Sequence, residues 1–246
     1  MTETPERNPE RLSFWGHLDE LRCRVFRSAV VVTGLSVLLY GFADPLLDFI
    51  IRPVGKVVFT SVADAFVVRL QLALAMGFLA GLPYVLWEVW AFVAAGLKED
   101  ERKYALLYGP FSLLAFFLGG IFAYAVIVPV SLQFLLGFAT GAMEPMITVD
   151  NYVSFVGTMV LAFGIVFELP IVMLFLTQIG VATPEFLVHY RRHAVMAILI
   201  VSALITPPDC VTLLIMAAPL IVLYETGIVL SKATYRRRVQ AKEVCR

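Results

Sequence analysis

The chain has 246 residues, 60% of them hydrophobic and 15% charged, with a mean hydropathy of +0.87. That composition excludes a soluble globular protein, and the length leaves no room for a large soluble domain beside a membrane-spanning one. The 19 Lys and Arg balance the 19 Asp and Glu, so no nucleic-acid partner is expected and the information lies in where the charges fall.

Met1–Gly16 is polar and holds acidic residues and two prolines, which is not the pattern of a secretory signal peptide. Next comes Ser13-Phe-Trp-Gly-His-Leu-Asp-Glu-Leu-Arg-Cys-Arg. Leu18, Leu21 and Val25 share one helical face and predict an amphipathic lead-in, on which Glu20 and Arg24 form a modest i, i+4 pair. Apolar runs follow at Val25–Phe42, Val67–Ala95, Ala105–Phe138, Val153–Ile179, Ala194–Ile205 and Val211–Leu230. Between the first two, Leu46, Leu47, Phe49, Ile50 and Ile51 predict a short interfacial helix ended by Pro53. The third run has 34 residues. As a helix it would reach about 51 Å against ~30 Å of hydrocarbon, so it must tilt, bend or project. Pro110 and Pro129 are its expected bends, as are Pro83 in the second run and Pro170 in the fourth. Thr140–Tyr152 predicts a short cap. The fifth run, with 12 residues, covers only about 18 Å. Thr206-Pro207-Pro208-Asp209 separates it from the sixth, because Pro-Pro cannot continue a helix.

Basic residues orient these runs. Of the 19 Lys and Arg, 16 lie before or at the start of the first run (up to Arg27), in the loops after the second and fourth, and in the tail; only Arg52, Lys56 and Arg69 lie elsewhere. The basic segments therefore face the cytoplasm. Arg191–Arg192 and Arg236–Arg238 bracket the last two runs and require an even number of crossings between them, which favours a hairpin of two helices over a re-entrant loop. The expected fold is an all-α membrane protein of six transmembrane helices, bent and proline-containing, the last two short, with both termini cytoplasmic. Residues 1–24 would be a cytoplasmic lead-in, 25–230 a single transmembrane domain and 231–246 a basic cytoplasmic tail. Helices that short should thin the bilayer around them.

Glu168 lies inside 27 residues that are otherwise almost wholly apolar. A charged side chain at that depth costs about 2.5–3.5 kcal/mol to insert, which marks it as a functional position; a hydrogen-bonded carboxyl that pins helix packing is the structural alternative. Cys23, Cys210 and Cys245 have no metal or disulfide spacing, and no metal or cofactor is expected. The chain has no Gly-x-x-x-x-Gly-Lys-Ser/Thr, His-Glu-x-x-His or Gly-x-Ser-x-Gly. His17, His189 and His193 fall at the cytoplasmic boundary, so no enzymatic activity is expected.

Four segments, His17-Leu-Asp-Glu-Leu-Arg, Trp90-Ala-Phe with Gly96-Leu97 and Glu101-Arg102, Phe163-Gly-Ile-Val-Phe-Glu-Leu-Pro170 and Thr206-Pro-Pro-Asp209, resemble in type and order the TatC family, the core receptor of the twin-arginine protein translocase. One departure is Ala95, where the family usually has proline. The resemblance implies a receptor and scaffold in the inner membrane of a prokaryote, using the proton-motive force to export folded proteins. It implies that Glu20 and Glu101, with Leu21, Arg22 and Phe92 beside them, bind signal peptides carrying two adjacent arginines. It also implies self-association and contact with the single-helix subunits TatA and TatB, for which Glu168, Thr206, Pro207, Asp209 and Met216 are the candidate positions. Read without the family, Glu20 and Glu101 would simply pair with Arg22, Arg24, Arg102 or Lys103, and Glu168 would suit an ion-coupled secondary transporter.

Overall fold

The computed structural model describes residues 14–97, 99–138, 146–206 and 209–244, with only the backbone of 14, 15, 99–101, 103, 104, 106 and 237–244. Ten α-helices, one 3-10 turn, one π turn and one bridge, Val58 to Thr148, make up its regular structure among the described residues. Helix α1 (Phe14–Leu39) passes through a single 3-10 turn, Tyr40–Phe42, into α2 (Ala43–Ile51). Asp44 and Pro45 open α2, where an acidic side chain favours the helix N-terminus and a missing N–H costs nothing. Leu46, Leu47, Ile50 and Ile51 pack on Val68, Leu72, Val149 and Val153, so the predicted interfacial helix is present and is held down by its apolar face. Tyr152 and Tyr124 donate to the carbonyls of Ile50 and Phe49, at 2.9 and 3.2 Å. The bridge then ties the segment after α2 to the one before α6: Val58 N–H donates to Ile147 and Val149 N–H to Val58, at 3.0 and 3.1 Å. The predicted cap at Thr140–Tyr152 lies partly outside the described residues; its last residues already belong to α6.

Helix α3 (Asp64–Ala95) carries Pro83 without interruption, and Ala95, which can continue a helix where proline could not, is its last residue. The third apolar run is helix α4 (Glu99–Phe122), a π turn at Ala123–Ile127 and helix α5 (Val128–Leu136). Pro129 explains the π turn. Its ring would clash with the carbonyl of Ala125 and it offers no N–H there, so the preceding turn winds wider. Pro110 sits within α4 and breaks nothing. The fourth run breaks more sharply, into α6 (Val149–Val166) and α7 (Leu169–Ile179). Pro170 cannot donate to Val166, so Phe167 and Glu168 form a turn in mid-run. Gly180, at φ +85°, ends α7 in the left-handed conformation that favours glycine. Three helices follow: α8 (Pro184–His189), capped by the Thr183 hydroxyl, α9 (Arg191–Ile205) and α10 (Cys210–Val244).

Five stretches among the described residues are long and apolar enough to cross a membrane: Gly16–Ile51, Asp64–Ala95, Leu107–Leu136, Val149–Ile179 and Cys210–Arg236. Helix α9 is the exception. Its 15 residues reach about 22 Å. The expectation that the last helix is also short is corrected: α10 has 35 residues and continues through most of the basic tail. Packing is serial, α1 on α3, α3 on α4, α4 on α6 and α7 on α10. The main core joins Ile127, Tyr152, Met159, Phe163, Met173, Met216 and Ile228. Large apolar side chains such as Phe26, Leu38, Leu118, Leu204 and Leu214 remain exposed around it, as lipid-facing positions do.

Candidate functional site

Two carboxylates from different helices meet one guanidinium where α1 and α3 pack. Arg24 donates from Nη1 to Glu88 Oε2 at 2.8 Å, and from Nη2 and Nε to Glu20 Oε1 at 2.5 and 3.1 Å. Tyr84, one turn before Glu88, donates to its other oxygen at 2.8 Å. Glu88 is 8% exposed, and a buried carboxylate with both oxygens engaged avoids the desolvation cost of an unpaired one. Glu20 is more open. Only its Oε1 is held by Arg24; Oε2 has His17 Nδ1 as its neighbour, at 3.9 Å. His17 in turn stacks on Phe92 of α3, with ring centroids 4.2 Å apart and planes 16° apart. Arg24 and Glu88 also line a groove of about 450 Å³, with Leu21, Val25, Val32, Phe78, Val85 and Phe92. Arg22 is exposed and has no ion pair among the described residues.

The structure thus brings Glu20, Leu21 and Phe92 to one region, through Arg24, His17 and the groove, while Arg22 is exposed on α1 and is not among the residues that line the groove. Glu101 lies in the first turn of α4, but its side chain is outside the described residues. Pairing of Glu20 with Arg24, expected from their spacing, is present. Sequence reasoning missed Glu88, and a signal for it existed: it is an ionisable residue inside the second apolar run, the same mark that singled out Glu168.

Glu168 sits in the turn between α6 and α7. Its Oε1 is buried without a hydrogen-bond partner, and Ser112 of α4 is the polar neighbour of its carboxyl. Ser112 also accepts from Trp90 Nε1 of α3 at 2.9 Å. Phe122, Phe163 and Phe167 wall the same region, with ring centroids 5.7–6.5 Å apart. Close approach of α4 and α6 depends on Gly119, where a Cβ would come within 2.5 Å of the Phe163 carbonyl oxygen.

Thr206 and Asp209 form a different locus. Thr206 is buried and donates to the Ser202 carbonyl at 2.9 Å. Asp209 Oδ2 accepts from Thr212 N–H at 2.6 Å, capping α10, while its Oδ1 is buried without a partner. Pro207 lies outside the described residues. A Cβ on Gly227 would lie 3.4 Å from Pro170 Cα, so α7 and α10 approach closely there, and Asp209 precedes Gly227 by 18 residues, or about 27 Å of helix. Glu168 and Thr206–Asp209 are therefore separate loci along α10. Met216 is 1% exposed inside the main core and presents no surface to a partner, because its side chain is enclosed by that cluster.

A second cavity, about 560 Å³, lies between α8 and α10 and is lined by Glu185, His189, Lys232 and Arg236 among others. Its excess of cations has the wrong sign for a cationic ligand.

A family model described as Sec-independent protein translocase protein (TatC) matches residues 16–219. The TatC protein of Carboxydothermus hydrogenoformans is 37% identical over 90% of this chain and 93% of its own length. TatCd of Bacillus subtilis is 35% identical over 92% and 93%. The crystal structure of a twin-arginine translocase receptor TatC superposes with a TM-score of 0.81 at 34% identity, over 89% of this chain and 99% of that one. The chain belongs to the TatC family, as the resemblance implied, and is a multi-pass membrane component of a bacterial Sec-independent translocase. The ion-coupled transporter alternative is left without support.

Proposed function

We propose that this TatC-family chain is the receptor that binds twin-arginine signal peptides on the cytoplasmic face and gathers partner subunits for export of folded proteins. The observation that carries the reading is the half-engaged Glu20 carboxylate, bonded to an Arg24 that lines an apolar groove. A carboxylate takes a guanidinium by two parallel charge-assisted bonds, which an ammonium cannot copy, and the groove offers apolar cover to the residues that follow. Glu101, in the first turn of α4, would take the second arginine, with Arg22 and Phe92 framing the approach.

The placement of basic residues supports cytoplasmic termini. With both ends of the α9–α10 hairpin on that side, α9 completes six crossings despite its length. Glu168 is proposed as a contact for a polar group on a partner helix of the TatA or TatB kind, and the proton-motive force as the energy source in the inner membrane.

Binding of a labelled twin-arginine signal peptide to the full-length protein in membranes tests the site. Losing one charge-assisted contact should weaken binding roughly tenfold, for Glu20→Gln and for Glu101→Gln. A peptide with two lysines should bind comparably weakly to the unaltered protein. Unchanged binding in both variants would end the assignment.

A further inference from the structure

We infer that Glu88 is a third acidic determinant of signal binding, acting through Arg24 rather than by contact. The inference rests on the proposed role of Glu20 and concerns how that carboxylate stays available to a cationic ligand.

The argument is one of charge. Glu20 alone would be neutralised by Arg24, its neighbour one turn along α1. Glu88 changes that balance. It draws Nη1 of the same guanidinium across to α3 at 2.8 Å, and as a buried carboxylate it cannot give the cation up without large cost. Two carboxylates then share one guanidinium, so these three bonded groups carry one net negative charge, with Arg27 near Tyr84 but hydrogen-bonded to neither carboxylate among the described residues. That surplus sits on the open member of the set, Glu20, whose Oε2 is not bonded to Arg24. An arriving arginine completes two anions and two cations without displacing Arg24. Tyr84, donating to Glu88 Oε1 at 2.8 Å, fixes the carboxylate in the orientation that holds Arg24 in place. Remove the charge of Glu88 and Arg24 falls wholly to Glu20: the cluster becomes neutral and its appetite for a further cation declines.

The test is a charge-balance series on the full-length protein in lipid nanodiscs. Binding is read by fluorescence anisotropy with a labelled peptide carrying two adjacent arginines, at two salt concentrations. Glu88→Gln should weaken binding about fivefold, the upper end of what one partly screened charge supplies, and should flatten the salt dependence. Adding Arg24→Gln to Glu88→Gln returns the cluster to one net negative charge, and affinity should recover to within about twofold of the unaltered protein. A merely structural role for Glu88 predicts no such recovery, since the double variant has lost more of the α1–α3 contact than either single one. Asp44→Asn, which removes a carboxylate paired with Arg69 far along the chain, should leave binding unchanged. Binding of the Glu88→Gln variant at full strength, or a double variant as weak as it, would overturn the inference while leaving Glu20 in place. If the unaltered protein fails to prefer the two-arginine peptide to a two-lysine one, the reading of Glu20 itself fails, and that outcome is separately visible.

Discussion

Replacing Gly119 with alanine should separate α4 from α6 at the level of Glu168. A Cβ there would lie 2.5 Å from the Phe163 carbonyl oxygen, 2.9 Å from the Phe163 carbonyl carbon and 2.8 Å from the Phe167 ring. Two of these three atoms are backbone, so no rotamer change relieves the overlap and the helices must move. Overpacking of this kind costs about 1–3 kcal/mol. Against it stands the intrinsic gain of alanine over glycine in a helix, roughly 0.5–1 kcal/mol. Gly157 isolates that gain, because it lies on the facing helix α6 with nothing within 4 Å of its Cβ position. The difference between the Gly119→Ala and Gly157→Ala variants is therefore the packing term alone. In a chain of this size each kcal/mol moves the melting temperature by ~2–4 °C, so the two variants should differ by about 2–12 °C. Thermal unfolding in one detergent, followed by tryptophan fluorescence, measures it. Equal melting temperatures would mean that α4 and α6 do not meet at Gly119, and that Ser112 is not held against Glu168 by that contact.

Two further outcomes follow from the proposed partner and membrane roles. A cysteine at Phe167, half-buried beside Glu168, should crosslink to a single-helix partner subunit. Glu168→Leu should lower the yield roughly threefold, the worth of one average hydrogen bond in a membrane, while Glu168→Gln should retain it; yields indifferent to both changes would detach Glu168 from partner docking. Lengthening α9 by one turn should bring its 15 residues from about 22 Å towards the ~30 Å of hydrocarbon. Signal binding should survive and transport fall, whereas transport at the normal rate would remove local bilayer thinning from the mechanism.

What the sequence discloses here is mostly what proline and hydrophobicity dictate locally. The break at Glu168, the distortion ahead of Pro129 and the α2 helix follow from a missing N–H or an apolar face, and each is where the residues say it should be. Pro83 and Pro110 carry the same signal and leave α3 and α4 uninterrupted. The length of α10 was hidden for a different reason. An apolar run ends where charges begin, but Ala, Lys, Arg, Gln and Glu are good helix formers, and no glycine or proline follows Gly227. The Arg24–Glu88 pair was not legible because its members are 64 residues apart; only the packing of α1 on α3 brings them together. Met216 misled through its residue type, since nothing in the local pattern separates a core-facing methionine from a lipid-facing one.

Glu88 and Glu168 obey one rule and resolve it differently. Both are carboxyls within apolar helical runs, so both carry the penalty that makes such residues rare. Glu88 is satisfied within the chain by a guanidinium and a phenol, and its charge is therefore usable only as a field acting on what Arg24 leaves uncovered. Glu168 keeps one buried oxygen without a partner, beside a turn that Pro170 makes permanent. A satisfied carboxylate tunes its neighbours, while an unsatisfied acceptor at membrane depth gains by receiving a donor from outside the chain. The two ends of the proposed function, a cationic peptide at Glu20 and a polar partner helix at Glu168, divide along that difference.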